Sequence, residues 1–262
     1  MISFINFFLS LSNNLTWRDV QHLIACTAEY RLLADNADWK QNGAGFLFNS
    51  QFGFGLLSAD TMIEQALKWK TVTPKYVCVF RSLNRLPVSI VDSNNNLINF
   101  KVDNCPINYL EHVQVRINLQ TNRRGMLKIL LKSPMNTEST LMHPRLRDSS
   151  TNGFNNWNLT SVQFWGENPS GIWSFEIHHL RKLIISSLKS AELIIHGTIE
   201  PVGCLQKTKS RREKIKIFLK LNNNSTEKQL LIEKDFENLK QNETQDLKKY
   251  NETDIKIEKV II

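Results

Sequence analysis

Nine consecutive residues constrain this chain more than any other feature. In EHVQVRINL, Val113, Val115, Ile117 and Leu119 alternate with His112, Gln114, Arg116 and Asn118. Strict alternation sends the two sets to opposite faces of a strand, so the segment demands a sheet with one buried and one wet face. TNRRG follows, and Leu127, Ile129 and Leu131 alternate again, which predicts a hairpin whose solvated tip is Arg123-Arg124-Gly125. SVQFW and IWSFEI around GENPSG predict a second hairpin. Short strands between Asn, Gly, Pro and Ser turns predict a mainly β domain over residues 74–203, a sandwich or jelly roll.

Residues 1–73 have a different period. Thr16 stands as N-cap with Asp19 in capping-box position, and Val20, Leu23 and Ile24 share one face, predicting a helix from about Leu15 to Tyr30. Ser58 or Asp60 opens a second helix through Ile63, Ala66, Leu67 and Trp69. Between them, Gly43, Gly45, Gly53 and Gly55 predict close backbone approach or positive φ. The N-terminal ISFINFFLSL is apolar, yet it lacks a basic flank and a small-residue cleavage motif, so a working signal peptide is not expected. No stretch reaches the ~20 apolar residues of a membrane span. Residues 204–262 read as a basic, Lys/Asn/Glu-rich tail, partly disordered or helical.

The net charge of +8 is not gathered into a stripe, and no nucleic-acid partner is expected. Four cysteines without a CxxC argue against a disulfide scaffold or a zinc site. Cys26 reads as a buried small residue of the first helix, and Cys204 has no assignment. Six N-x-S/T sequons, including Asn14 and Asn158, support secretion weakly in so Asn-rich a chain, and Asn14 reads equally well as a turn residue. No serine lies in a G-x-S-x-G elbow, and His178-His179, adjacent on a strand, point to opposite faces. No catalytic or metal-binding residue is expected in this chain.

Several longer strings are specific. NLTWRDVQHL (Trp17, Asp19), DWKQNGAGF and FGFGLLSADTMIEQALKW (Gly53, Gly55) resemble the closing part of the catalytic domain of kexin- and furin-like proprotein convertases. The second region is similar to the P (Homo B) domain that follows it there. The matching pieces are LEHVQVRINLQTNRRGMLKILLKSPMNTESTL (Arg124, Gly125, Pro134), NGFNNWNLTSVQFWGENPSGIWSFEI (Gly153, Phe154, Trp157, Trp165, Gly171, Trp173) and LIIHGT (Gly197). AGF and FGFGLL lean toward the seventh-type branch.

The resemblance implies a jelly-roll P domain preceded by a short helical remnant of a subtilisin-like α/β domain. It places residues 1–73 in that remnant, 74–203 in the P domain and 204–262 in the tail. It further implies a serine endopeptidase of the secretory pathway, Golgi, membrane-associated or secreted, that cuts precursors after paired basic residues and uses calcium in the complete enzyme. The catalytic domain is then the intramolecular partner. In the subtilisin fold the nucleophilic serine precedes the NLTWRD helix within a GTS-type motif, and no such string occurs. The chain is therefore expected to be an inactive C-terminal segment whose P domain stabilises and regulates the catalytic domain. Cys78 and Cys105 fall where such P domains carry a disulfide, and Trp157, Trp165 and Trp173 fall at core or interdomain positions. Asn156 and Ser58 depart from the usual residues, and HHLRKLIISSLKSAEL lacks the expected glycine and aromatic, which leaves the last strand or two undefined. Lys209-Ser210-Arg211-Arg212 looks like a convertase cleavage site, though a charged start to a tail helix is the preferred reading. The competing reading of the whole is a stand-alone jelly-roll module that binds a protein or an anionic glycan.

Overall fold

The alternation at residues 112–119 belongs to a thirteen-residue strand, β6 (Tyr109–Thr121). The computed structural model describes residues 15–90, 97–181 and 184–207, the last two of these by backbone only. A helix α1 (Trp17–Thr27), a two-stranded ribbon of β1 (Lys40–Gln41) and β2 (Leu47–Phe48), and a helix α2 (Ala59–Leu67) come first. The strands β3 (Tyr76–Arg81), β4 (Val88–Ile90), β5 (Leu97–Val102), β6, β7 (Leu127–Lys132), β8 (Glu138–Met142), β9 (Phe154–Ser161), β10 (Gly171–His179) and β11 (Ser186–Thr198) follow. They form two sheets, ordered β3-β11-β6-β9 with β4 also on β11, and β5-β10-β7-β8. Every pairing is antiparallel. The protein is mainly β.

The two sheets share one core. Val113, Val115, Ile117, Leu193 and Ile195 from one meet Phe100, Ile129, Phe175 and Ile177 from the other. Full burial of such side chains contributes roughly 1.5–3 kcal/mol each. Trp173 is fully buried, donates its Nε1–H to the Pro169 carbonyl at 2.8 Å and meets the Phe164 ring edge-on at 5.0 Å. Gly171 (φ +129°) leaves room for Pro134, which a Cβ there would meet at 2.8 Å.

Both expected hairpins are corrected. β6 and β7 lie in different sheets, as do β9 and β10, so TNRRG and GENPSG belong to crossovers from one layer to the other. Alternation reports which face of a strand is buried, and says nothing of which neighbour it bonds. SVQFW is not a strand either: β9 stops at Ser161, and Trp165 N–H turns back onto the Val162 carbonyl at 3.1 Å. Arg123-Arg124-Gly125 is no solvated tip. Gly125 is buried against the carbonyls of Arg145 and Asp148, while Arg124 pairs with Asp148 and covers the Phe154 ring. Gly153 (φ +61°) likewise packs on the Leu119 carbonyl, and Gly197 on that of Tyr109. The strand left undefined in the sequence, β11, is the central one, hydrogen-bonded to β3, β4 and β6. Trp157 does not enter the core: it is 51% exposed, its ring against Phe154.

The first helix is shorter than expected, ending at Thr27, but its capping box forms: Asp19 N–H donates to Thr16 Oγ1 and Thr16 N–H to Asp19 Oδ2. Ser58 occupies the N-cap of α2, yet its hydroxyl bonds the Asp60 and Thr61 side chains and no backbone N–H. Gly45, Gly53 and Gly55 take positive φ, and a Cβ on Gly43 would strike Met135.

A candidate functional site at the junction of helices and sandwich

Glu111 follows the same phase as Val113 and Val115, so β6 drives a carboxylate into the interior. An isolated buried charge is untenable, and here α1 supplies its partners. Arg18 reaches Glu111 with its guanidinium, and His22 Nε2 lies 3.0 Å from the same carboxylate. Burial pushes the Glu111 pKa up, but the bonds from His22 and Arg18 and their charge outweigh it and hold it at about 2. Arg18 also donates to the Thr73 carbonyl at 2.9 Å, which ties down the segment leading into β3.

Asp19 organises the other side of α1. Fully buried, it accepts from Trp69 Nε1 at 2.8 Å and from Val72 N–H at 2.7 Å, besides its capping bonds. Burial again opposes ionisation, and these hydrogen bonds keep the carboxyl below its ordinary range. Trp69 in turn packs where Gly203 (φ +52°) has no side chain. Val20, Leu23 and Met62 fill the space between the two helices.

The crossover between β9 and β10 forms the second half of the junction. Trp165, 3% exposed, joins Ala25, Ala44, Phe46 and Leu205, with the His22 ring edge-on at 4.8 Å. Asn42 donates to the carbonyls of Gln163 and Trp165, both at 2.9 Å, and accepts from Phe46 N–H. Gly43 N–H donates to Thr137 Oγ1 and to Glu167 Oε1, and the Thr137 hydroxyl also donates to Glu167. Burial dominates at Glu167 and raises its pKa.

A disulfide closes this arrangement. Cys26 of α1 is bonded to Cys204, with a Cα–Cα distance of 5.7 Å. This corrects the reading of Cys26 as an isolated buried thiol and gives Cys204 its place. Cys78 is bonded to Cys105, and no cysteine is free. All four are paired.

Residues 110–195 match the family model described as the proprotein convertase P-domain. The chain carries a proprotein convertase P domain. Furin-like protease 1 of Drosophila melanogaster is 39% identical over 197 residues, covering 74% of this chain and 15% of the relative. Endoprotease bli-4 of Caenorhabditis elegans is 36% identical over 201 residues, covering 74% and 21%. Proprotein convertase subtilisin/kexin type 6 of Rattus norvegicus is 39% identical over 202 residues, covering 73% and 22%. The chain thus spans less than a quarter of these relatives. In structure, a serine protease of Aeromonas sobria superposes with a TM-score of 0.63 at 21% identity, over 72% of this chain and 42% of that one, which establishes the shared fold.

Of the residues singled out in the sequence, Asp19 and Trp165 lie within the junction, and Trp17, 61% exposed, lies on the far side of α1. Arg124, Gly125, Gly153 and Phe154 belong instead to the opposite end of β6, near Leu119 and Thr121. Arg18, His22, Glu111, Asn42 and Glu167 were missed. Glu111 had a readable signal, a carboxylate on the buried phase of a strand. Asn14 and residues 209–212 lie outside the described residues. Among the described residues no group of three or more His, Cys, Asp or Glu side chains could hold a metal ion, and no helix is long and apolar enough to cross a membrane.

Proposed function

We propose that this chain supplies the non-catalytic P domain of a furin-like serine endopeptidase, together with the closing helices of its subtilisin-like domain. The complete enzyme then hydrolyses secretory precursors after paired basic residues, with its calcium bound outside this chain. The boundary falls near Thr73-Pro74, and the tail begins after the Cys204 turn. The buried Glu111 carboxylate, held by Arg18 and His22 from α1, carries this reading. It is a clamp by which the sandwich fixes helices that precede it. Trp17, Leu32 and Leu67 are 61%, 81% and 74% exposed on the helical part, and in this reading the rest of the catalytic domain would cover them. The paired cysteines favour an oxidising compartment and hence the secretory pathway.

Two measurements test this. A fluorogenic Arg-Arg peptide should survive incubation with the purified chain; hydrolysis abolished by a serine substitution within the chain refutes the non-catalytic role. Amide exchange across α1 should accelerate at least tenfold in Glu111→Ala. Equal protection in the two proteins refutes the clamp.

A further inference from the structure

One surface feature has no part in the clamp. Of the six sequons, only Asn158-Leu159-Thr160 falls within the described residues. β9 pairs it antiparallel to β6, with Asn158 opposite Arg116 and Thr160 opposite Gln114. Strand alternation turns Leu159 into the core, 6% exposed, and leaves Asn158 and Thr160 exposed on the outer face.

We propose that Asn158 is an N-glycosylation site and that its glycan covers the outer face of the β9 edge. The inference rests on passage through the secretory pathway, as proposed above. The donor is a lipid-pyrophosphate-linked oligosaccharide supplied by the host transferase. Asn158 Nδ2 attacks the anomeric carbon, the N–C bond forms as the C–O bond to pyrophosphate breaks, lipid pyrophosphate leaves, and one amide proton passes to a base of the transferase.

The finished fold accommodates the product. Arg116 Nε donates to Asn158 Oδ1 at 3.2 Å, which orients the amide by its oxygen and leaves Nδ2 as the atom that carries the sugar. The modified side chain is still an amide, so this bond persists. Arg116 is itself held by Glu192 at 3.3 Å, and Gln114 donates to Thr160 Oγ1 at 3.2 Å, so neighbouring polar groups are already paired beneath the sugar. Arg116 lies five residues along β6 from Glu111, about 17 Å at ~3.3 Å per residue, so the glycan stands clear of the junction. Among the described residues β9 is the last strand of its sheet. A bulky, hydrated group there hinders pairing with a second sheet edge.

The test uses the full 262-residue chain secreted from eukaryotic cells behind a heterologous leader. The leader supplies entry, so an unoccupied site counts against Asn158 alone and leaves the native route to be judged separately. After enzymatic deglycosylation in heavy-oxygen water, the peptide containing Asn158 should gain the mass of amide-to-acid conversion with one heavy oxygen. Thr160→Ala and Asn158→Gln should each remove one glycan-sized step on a gel, and Thr160→Ser should retain it. Recovery of that peptide unmodified from secreted chain with both disulfides formed overturns the proposal. If Thr160→Ala is not secreted, Asn158→Gln decides alone: an unchanged gel position overturns it.

Discussion

Replacing Cys26 and Cys204 together by alanine should destabilise this protein more than removing its other disulfide, by an amount that follows from chain statistics. The bonded residues are 178 apart. The entropy of a cross-linked unfolded loop of that size corresponds to about 5 kcal/mol at 25 °C. The Cys78–Cys105 bridge lies inside the loop and shortens its free contour to about 150 residues, which lowers the figure by only about 0.1 kcal/mol because the dependence is logarithmic. For the separation of 27 in the short bridge, the same relation gives about 3.5 kcal/mol. The expected difference between the two double-alanine variants is therefore about 1.5 kcal/mol. With a urea dependence of roughly 2 kcal/mol per molar, this separates their midpoints by about 0.8 M. Equilibrium unfolding followed by tryptophan fluorescence is a suitable readout, since Trp165 and Trp173 are buried in different clusters. Coincident transitions in other probes would justify the two-state treatment. A short-bridge variant as unstable as the long-bridge variant, or more so, would refute the reasoning. The bridges would then act through native contacts instead of unfolded-chain entropy.

Glu111→Ala leaves Arg18 and His22 buried without their carboxylate, and chemical denaturation should show a loss of about 3–5 kcal/mol. In the parent, a carboxyl held at about 2 instead of the ordinary 4.5 contributes up to about 3 kcal/mol, present above pH 4.5 and lost as pH falls toward 2; Glu111→Gln should lose that part of the acid dependence. Glu167 has the opposite sign: its raised pKa favours the neutral acid, so it favours folding most below pH 4.5 and less as pH rises through its folded value. Glu167→Gln keeps an acceptor for Gly43 and Thr137, and thermal melts at pH 7 should find it at least as stable as the parent, whereas Glu167→Ala should lose about 1–3 kcal/mol. Gly125→Ala should cost about 1–3 kcal/mol in urea unfolding, because the new methyl meets two backbone carbonyls. His196, stacked on His112 at 4.1 Å, has its pKa lowered to about 4 by burial and by the charges of His112 and Lys75. It remains neutral where the unfolded imidazole charges, so stability should fall from about pH 6.5 toward 4, and His196→Gln should flatten that slope in a pH series of melts.

Much of this was legible in the residues. The capping box at Thr16 and Asp19, the glycines of the 43–55 loop and the buried phase of β6 are all short-range, and each follows from local geometry. Partner choice was not local. Nothing in TNRRG distinguishes a hairpin tip from a crossing between layers, because both need a chain reversal after an alternating strand. Gly125 was expected at a solvated tip; in fact it supplies room for the segment at Arg145–Asp148, twenty or more residues away in sequence. Trp157 stays half in water on the edge strand β9, where Asn155, Asn156 and Asn158 are exposed as well and a register shift lies alongside. The junction was the least readable part. Its bonds join residues such as Arg18 and Glu111, or Cys26 and Cys204, and single residues of that kind carry no periodic signature. A carboxylate in the apolar phase of β6 pointed to the need for a partner, without saying which.

The distance along the chain between Cys26 and Cys204 also sets a schedule. At the usual elongation rates the second cysteine is made roughly 10–40 s after the first. During that interval the Cys26 thiol has no native partner, and Cys78 and Cys105 are both synthesised before Cys204. Any bond from Cys26 to either of them closes a shorter loop than the native one and forms more readily in an unfolded chain. The native pairing thus needs Cys26 either to stay unbonded until Cys204 is made or to be released later by thiol–disulfide exchange. The clamp at the end of the helices is completed last, by a residue synthesised after the whole sandwich.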